Sequence, residues 1–382
     1  MAIDNKDNKV LNVPHLRFPE FSGEWEMVSL QDIATINPKS DPLQNTFIYI
    51  DLEAVEKGEL RKIQEIMREE APSRAQRVID NNDILFQCVR PYQKNNYIHR
   101  ILNTSNQQWV ASTGYAQIRT TELPNYIYHL LNTDEFNRKV MVRCTGSSYP
   151  AINSEDLATI HFYYTPDKKE QLKISRLLDL LDKRIATQNK IIEDLKKLKS
   201  AIIDLLFHSI RDANTVRLGD IAHITNGIGD VQDANTEHKK DWFPFFDRSE
   251  ELKWFPTYSF DKEAIIYAGE GQSFYPRYYN GKFALHQRCY AITDFASCIL
   301  PKYCYYFMTT LNSYFVRNSV GSTVPSLRMD VFQKAEIKPP PISKQQHICK
   351  IIDALCSKFE IEQNSANSLQ IQKRYLLSQM FI

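Results

Sequence analysis

Two stretches of the chain carry apolar residues at a spacing of seven, and each is predicted to form one long helix. The first stretch ends at Phe207 and the second at Phe381. Residues seven apart lie on one side of an α-helix, so each helix is expected to bury an apolar stripe against a partner. The predicted packing positions are Ile174, Leu181, Gln188, Leu195 and Ile202 in the first helix, and Ile348, Leu355, Glu362, Leu369 and Leu376 in the second.

A polar layer interrupts both stripes at Gln188 and at Glu362. A polar residue in such an interface often fixes the register of two helices at some cost in stability. The two helices are therefore predicted to pack on each other, and separate packing of each helix on its own globular block is the alternative. Two further columns widen the first stripe: Leu177, Arg184, Ile191, Leu198 and Leu205, and Leu178, Ile185, Ile192 and Leu206.

The segments that precede the two helices are also duplicated. VSLQDIATIN matches VRLGDIAHIT, and VRCTGSSYPAI matches VRNSVGSTVPSL with one inserted residue. A proline-led aromatic segment, predicted to be a helix, comes just before the second match in each copy. Duplication on this scale indicates two copies of one domain rather than a solenoid. The matching segments start at Val28 and Val216, at Pro124 and Pro301, and at Val142 and Val316.

The repeat predicts four regions: a block over residues 1–165, a helix over 166–210, a second block over 211–341 and a second helix over 342–382. Strand candidates such as TFIYIDL and AIIYAG, beside the aromatic helix, predict mixed α/β blocks, so the fold class is α+β. If an approximate two-fold axis relates the copies, the helices form an antiparallel coiled coil with a block at each end. About 38 helical residues give a spacer of roughly 57 Å, equivalent to at most ~17 base pairs.

Composition adds limits rather than a function. The chain has 382 residues, of which 43% are hydrophobic, and a formal net charge of +1 that neither requires nor excludes nucleic acid. The polar start is unlike a signal peptide and no stretch approaches the ~20 apolar residues of a membrane span, so a cytoplasmic protein is expected. Seven cysteines without a C-x-x-C pair argue against a disulfide framework and against a zinc site.

Patterns typical of catalysis are missing from the sequence. There is no G-x-x-x-x-G-K-S/T phosphate loop and no H-E-x-x-H zinc motif, and GEGQSF lacks the third glycine of a dinucleotide fingerprint. Asn37-Pro38 continues as Lys-Ser, unlike the signature of amino-methylating enzymes. Asp167 with Asp194 and Lys196 imitates a nuclease pattern, but two of the three fall within the heptad helix. No catalytic residue and no metal site is predicted, and the chain is interpreted as a binding and scaffolding protein.

The order of these parts resembles the DNA specificity subunit of type I restriction-modification enzymes. The resemblance covers nearly the whole chain and rests on LRFPEFSGEWEMVSLQDIATI, RLGDIAHITNG, YYNGKFALHQRCYAI and the two Q-x-x-I helices. It implies that each block is a target recognition domain that reads one half of a split sequence in double-stranded DNA. It also implies assembly with two methylating subunits and with ATP-dependent restriction subunits. S-adenosylmethionine, ATP and Mg²⁺ would then be used by those partners, and none would be bound by this chain.

Candidate DNA contacts come from residue type and loop position in the dissimilar middles and in the turns TGSSYP and GSTVP. Basic, amide and hydroxyl groups there can contact phosphates and base edges, although ordinary surface loops share this composition. Since the net charge is near zero, weak binding by the isolated chain is expected. A protein–protein scaffold without DNA readout is the alternative, and a lone nuclease or methyltransferase is a distant third. The candidates are Arg90, Tyr92, Lys94, Arg143 and Ser147 in the first block, and Arg277, Gln287, Arg288, Ser322 and Arg328 in the second.

Overall fold

The computed structural model describes residues 3–4, 10–101, 107–211 and 213–382. The chain divides into two compact units. The first comprises Met1–Asn189 and Asn364–Ile382, and the second comprises Lys190–Gln363. Each unit therefore contains one globular block and a part of each long helix.

The first unit is built around two four-stranded sheets. One has the order β11-β10-β13-β4 and is antiparallel, and the other has the order β8-β5-β12-β9, in which β5 and β12 are parallel. The strands of this unit are β1 (Ile3–Asp4), β2 (Val10–Leu11), β3 (Glu26–Ser29), β4 (Ala34–Ile36), β5 (Thr46–Ile50), β6 (Val55–Glu56), β7 (Glu59–Leu60), β8 (Gln64–Met67), β9 (Ala75–Val78), β10 (Ile84–Gln87), β11 (Tyr97–Ile98), β12 (Gln108–Ser112), β13 (Tyr115–Thr120) and β14 (His161–Tyr164).

Short helices cover the first of these sheets. They are α1 (Leu30–Ile33), α2 (Pro124–Leu131), α3 (Asp134–Arg143) and α4 (Ser154–Ala158). The main core of the unit joins Ile84 and Phe86 of β10 to Tyr126 and Leu130 of α2. Proline stands at the first position of α2, where its missing N–H and fixed φ favour a helix start.

The second unit has one six-stranded sheet in the order β16-β21-β19-β20-β17-β18. Its strands are β15 (Val216–Arg217), β16 (His223–Asn226), β17 (Phe243–Phe246), β18 (Lys253–Phe255), β19 (Phe260–Ala268), β20 (Arg277–Leu285), β21 (Cys289–Thr293) and β22 (Glu336–Ile337). Its short helices are α6 (Leu218–Ile221), α7 (Pro301–Met308), α8 (Asn312–Asn318) and α9 (Met329–Lys334).

The repeated residues are buried at matching places in the two units. Leu30 and Ile33 of α1 correspond to Leu218 and Ile221 of α6, and all four side chains are at most 6% exposed. The strand after each of these helices joins its sheet in the same register, because Ile36 pairs with Ile118 and Ile224 pairs with Ile292. The shared sequence therefore encodes a shared frame, and the prediction of mixed α+β blocks is confirmed.

The two long helices are α5 (Lys168–His208) and α10 (Ile342–Met380). In the first unit, the start of α5 shares a core with the end of α10, through Leu178 and Leu377, and Lys373 pairs with Asp182 at 2.5 Å. In the second unit, Phe207 near the end of α5 shares a core with Ile348 near the start of α10. Within each unit, the two helix segments are therefore antiparallel.

Burial along the helices differs from column to column. Ile174, Gln188 and Ile348 are buried, and the other seven predicted packing residues are half-buried. The expectation that the second column also packs is wrong, since its apolar members point to solvent. Their exposed fractions are 36% for Leu177, 39% for Ile191, 49% for Leu198 and 69% for Leu205. The physical reason is that a straight helix turns one narrow face to a single partner, so a neighbouring column remains free. None of the helices in the described residues is long and apolar enough to cross a membrane.

Candidate nucleic-acid interface

The hydroxyl-rich turns close in the same way in both units. In the first unit, Val89 and Thr145 both form β-bridges to Ala151, and in the second unit Glu270 and Val320 both form β-bridges to Ser326. Each turn is thereby tied to the end of a central strand, β10 or β19. We call residues 87–95 and 145–151 the first edge. Residues 226–229, 269–271, 286–288 and 320–326 form the second edge.

A short left-handed segment shapes the first edge. Arg90 and Lys94 have positive φ values of 56° and 51° and flank one 3₁₀ turn, Pro91–Gln93. Such values are uncommon outside glycine, and a strained conformation of this kind persists only where the surroundings hold the backbone in place. The Gln87 side chain holds this turn: its Nε2 donates to Gln93 Oε1 at 2.9 Å, and its Oε1 accepts from the Asn95 amide at 3.1 Å.

The Arg90 side chain joins the two loops of the first edge. Its guanidinium carbon lies 4.3 Å from the centre of the Tyr149 ring, a cation–π contact that orients both groups. Beside this pair lies a cleft of about 710 Å³, lined among others by Arg74, Gln87 and Asn95. Arginine, glutamine and asparagine are the side chains that recognise base edges by paired hydrogen bonds.

The other first-block candidates differ in how freely they face solvent. Tyr92 is 52% exposed and Ser147 is exposed, so both are accessible. Lys94 donates to Asp134 at 2.6 Å and to the Asn132 carbonyl at 3.1 Å. Its ammonium group is thus held by α3 rather than extended into solvent.

Arg143 is engaged in a similar way. Its guanidinium donates to the Asp156 carbonyl at 2.8 Å and to the Thr159 hydroxyl at 2.7 Å, at the end of α4. The structure therefore gives Arg143 a fold-stabilising contact that sequence position alone did not reveal. The side chain is nevertheless exposed, so it remains a candidate for a phosphate contact.

Arg288 is the principal exposed cation of the second edge. It pairs with Glu270 at 2.6 Å, and its own side chain is 66% exposed. Gln287 is exposed beside it, and its backbone amide donates to the Gly229 carbonyl at 3.1 Å. Ser322 and Arg328 are exposed as well, the first within the turn and the second just before α9.

Arg277 fits the interface least among the candidates. It lies at the start of β20, it is half-buried, and its guanidinium donates to the Ser249 carbonyl. A loop position predicted from sequence is thus a strand position whose side chain is bonded within the fold. Gln87, Tyr149 and Glu270 also belong to the two edges but were not predicted from the sequence. Gln87 lies three residues before Arg90 and Tyr149 lies two residues after Ser147, and this proximity was the available signal.

Each block is fastened to a long helix by an aspartate. Asp179 of α5 accepts hydrogen bonds from His129 at 2.9 Å and Asn125 at 2.5 Å, both on α2. Burial pushes the pKa of Asp179 upward, but the hydrogen bonds from His129 and Asn125, together with the positive charge of Arg100, leave this pKa below its ordinary value. Burial lowers the pKa of His129 and outweighs the opposing hydrogen bond to Asp179, so the ring is neutral at physiological pH.

The second unit repeats this anchor with other residues. Asp353 of α10 accepts from the Tyr306 hydroxyl and from the Lys302 ammonium group, both on α7. Burial, reinforced by Asp353, raises the pKa of Tyr306. Asp179 and Asp353 occupy matching positions of the two long helices. At the matching position of the aromatic helices, α2 has His129 and α7 has Tyr306.

The described residues include acidic, histidine and cysteine side chains, the types that bind metals or act as nucleophiles. No three His, Cys, Asp or Glu side chains in that part of the chain come together as metal ligands. Burial raises the pKa of Cys88 to about 12 and of Cys289 to about 11, so neither thiol is a ready nucleophile at neutral pH. Asp167 accepts from the Lys169 amide at 2.7 Å, which makes it a cap of α5.

The family model for "Type I restriction modification DNA specificity domain" matches residues 22–197 and 210–370. The specificity subunit of the type I restriction enzyme EcoDI from Escherichia coli is 29% identical over 165 residues, which is 43% of this chain and 36% of that protein. The HindI specificity subunit from Haemophilus influenzae is 23% identical over 191 residues, which is 49% of this chain and 38% of that protein. The matches thus span well under half the length of these relatives.

Two solved structures share the fold. The type I restriction-modification S subunit from M. genitalium is 15% identical with a TM-score of 0.62, and the match covers 97% of this chain and 99% of that one. A chain from a study of complex assembly and conformational transition of the type I R-M system is 20% identical with a TM-score of 0.61, covering 93% and 97%.

Proposed function

Because the chain belongs to the family of type I restriction-modification DNA specificity proteins, we propose that it reads a bipartite target, one half-site with each unit. The family match makes it a DNA specificity subunit rather than a catalytic one. The observation that carries the proposal is that two equivalent edges, built on the same frame, present different side chains. Two copies with equal edges would read equal half-sites, so different edges specify an asymmetric sequence.

The first edge is suited to base readout because its groups are preorganised. Arg90 is held over Tyr149, and the Gln87 network fixes the loop that carries Arg90. An arginine that forks onto guanine, or an amide that pairs with adenine, adds roughly 1–3 kcal/mol of discrimination. Holding the groups in place before binding lowers the entropy lost when DNA binds.

The second edge offers a complementary pair of groups. The Arg288 guanidinium is able to donate two hydrogen bonds to guanine O6 and N7, and the Glu270 carboxylate is able to accept one from the cytosine amino group. The pairing of the two at 2.6 Å in the free chain must open when DNA binds. This competition, with a net charge of +1, supports weak binding by the isolated chain and tight binding in a complex with more basic partners.

Association with partners is the second part of the proposal. Exposed apolar side chains on α5, such as Leu198 and Leu205, provide a surface for other subunits. We assign this surface to two copies of a methylating subunit, with ATP-dependent restriction subunits joining the assembly. In this proposal, S-adenosylmethionine, ATP and Mg²⁺ bind to those partners. The proposed location of the complex is the cytoplasm. The long helices would set the gap between the two half-sites.

Co-expression with methylating subunits, followed by mapping of modified adenines, tests the proposal. The expected result is one motif of two specified halves separated by unspecified base pairs. Arg90→Ala is expected to relax the first half only, while Arg138→Ala, which removes an exposed arginine paired with Glu135, is expected to leave the motif intact. A complex that forms but modifies no defined sequence would instead support a protein–protein scaffold. Activity without a partner would support an enzyme.

A further inference from the structure

The loop Asn-Gly-Ile-Gly over residues 226–229 presents one apolar side chain to solvent. Ile228 is 83% exposed, the highest value among the large apolar side chains of the described residues. A lone exposed aliphatic residue is common on protein surfaces and by itself requires no explanation. The surroundings of Ile228 are what distinguish it.

Both flanking glycines are pressed against the sheet. The Gly227 amide donates to the Cys289 carbonyl at 3.1 Å, and the Gly229 amide donates to the Leu285 carbonyl at 3.0 Å. A Cβ atom at Gly227 would lie 2.1 Å from the Leu285 carbonyl oxygen, and one at Gly229 would lie 2.7 Å from the Phe245 ring. Glycine is therefore needed here for close approach, and this approach leaves the Ile228 side chain pointing away from the core.

The loop also lies beside the candidate base-contacting turn of the second edge. The Gln287 amide donates to the Gly229 carbonyl at 3.1 Å, and the Asn226 side chain donates to the Gln287 carbonyl at 3.3 Å. The loop that carries Ile228 is thus bonded to Gln287 and Cys289, the residues on either side of Arg288. An apolar group is fixed within a row of hydrogen-bonding groups.

The first unit has a different residue at the matching position. Continuing the register of the repeat beyond the paired strands brings Ser40 to the place of Ile228. Ser40 is half-buried, and its hydroxyl accepts from the Val78 amide at 3.2 Å. The exposed aliphatic group is therefore a property of the second edge and not of the common frame.

We propose that Ile228 reads the 5-methyl group of a thymine in the second half-site. This methyl group is the one apolar feature that a base pair displays in the major groove, and aliphatic contact is the way proteins recognise it. The inference rests on the proposed function, because it requires the second edge to face DNA. It adds a determinant of A·T pairs to the polar groups already assigned to this edge.

The test uses the assembled complex with its methylating subunits and synthetic duplexes that contain the mapped motif. Each thymine of the second half-site is replaced in turn by deoxyuridine, which removes only the methyl group. For the wild-type complex, binding is expected to weaken about fourfold at one position, the loss typical of one buried methyl-sized group. In Ile228→Ala that sensitivity should disappear, while Val231→Ala, which trims a neighbouring apolar residue of 38% exposure, should retain it.

Several outcomes would overturn the inference. One is indifference of the wild-type complex to deoxyuridine at every thymine; another is a second half-site without an A·T pair. Equal weakening of thymine and uracil duplexes by Ile228→Ala, with less DNA bending, would mean that Ile228 is a wedge between base steps.

If a split motif is mapped but deoxyuridine has no effect, only this inference fails. If no split motif exists, the proposed function itself fails. An unchanged melting temperature of Ile228→Ala verifies that folding is not the cause.

Discussion

In both units, an aspartate at the matching position of a long helix binds the aromatic helix of the block, but its partner residues differ. In the first unit, Asp179 holds α2 through His129, and in the second, Asp353 holds α7 through Tyr306. A buried glutamine repeats without change: Gln171 accepts from the Leu123 amide at 3.2 Å, and Gln345 accepts from the Leu300 amide at 2.8 Å.

The sheets around this shared frame differ much more. The first unit has two sheets of four strands, whereas the second has one sheet of six strands with long β19 and β20. The difference lies in the segments that lead to the two edges. Frame and edge are thus separate parts of each unit: the frame can stay constant while an edge changes its sequence preference.

The largest loss of stability is expected when the buried glutamine that repeats in both units is removed. Gln345 is fully buried, and its amide donates to the Cys298 carbonyl at 2.8 Å and to the Pro340 carbonyl at 2.7 Å. Gln345→Ala removes the hydrogen-bond partner of the buried Pro340 carbonyl and of the partly buried Leu300 amide and Cys298 carbonyl, so the free energy of unfolding should fall by about 3 kcal/mol. Gln346→Ala at the exposed neighbouring position is the control. Equal urea denaturation curves for the two variants would show that the glutamine is dispensable.

Lowering the pH should weaken the anchor formed by His129 and Asp179 but not the anchor formed by Tyr306 and Asp353. The folded first unit binds fewer protons at His129 than the unfolded chain, because burial lowers the pKa of that histidine. Its stability is therefore complete above the ordinary histidine pKa of about 6.5 and declines below it, by at most about 1.4 kcal/mol per pH unit. The charged groups around this histidine are Asp179, Asp182 and Lys373. The Tyr306 anchor does not titrate in this range, since the pKa of that hydroxyl is raised.

Hydrogen exchange resolved by unit at pH 7.5 and pH 5.5 measures this difference. The first unit should lose protection at the lower pH, and His129→Gln, which keeps an N–H donor for Asp179, should reduce the loss. It should not abolish the loss, because burial also lowers the pKa of His99 in the same unit. Equal losses of protection in the two units would contradict the assignment.

A smaller effect is expected from the strained backbone of the first edge. Arg90 has a φ of 56°, whereas the matching residue of the second unit is Gly271. Arg90→Gly relieves strain of about 1–2 kcal/mol and loses a cation–π contact of about 0.5–1 kcal/mol. The melting temperature should therefore stay the same or rise slightly, while readout of the first half-site is lost. A marked fall in melting temperature would show that Arg90 mainly stabilises the fold.

Periodicity predicted the elements that depend on local spacing. The heptads indicated α5 and α10, and the repeat indicated two mixed α/β blocks, because apolar spacing and duplicated buried residues are properties of the sequence itself. The exposed column at Leu198 and Leu205 was missed, since the sequence does not show how many partners a helix has.

Contacts between distant residues were the other limit. Lys94, Arg143 and Arg277 resemble Arg90 in residue type and predicted loop position. The structure nevertheless bonds these three side chains to residues that no short motif identifies, and Arg277 lies on a strand. Ile228 was missed for the opposite reason: a single aliphatic residue carries no signal until its flanking glycines are seen against the sheet.

The most direct measurement is the methylation motif of the assembled complex for Arg90→Ala and Arg288→Ala, mapped in parallel with Lys334→Ala as an exposed ion-pair control. If each unit reads one half-site independently, Arg90→Ala should broaden only one half of the motif and Arg288→Ala only the other half. Lys334→Ala should broaden neither half. If either arginine variant broadens both halves, or if both variants affect the same half, the assignment of one half-site to each unit is wrong.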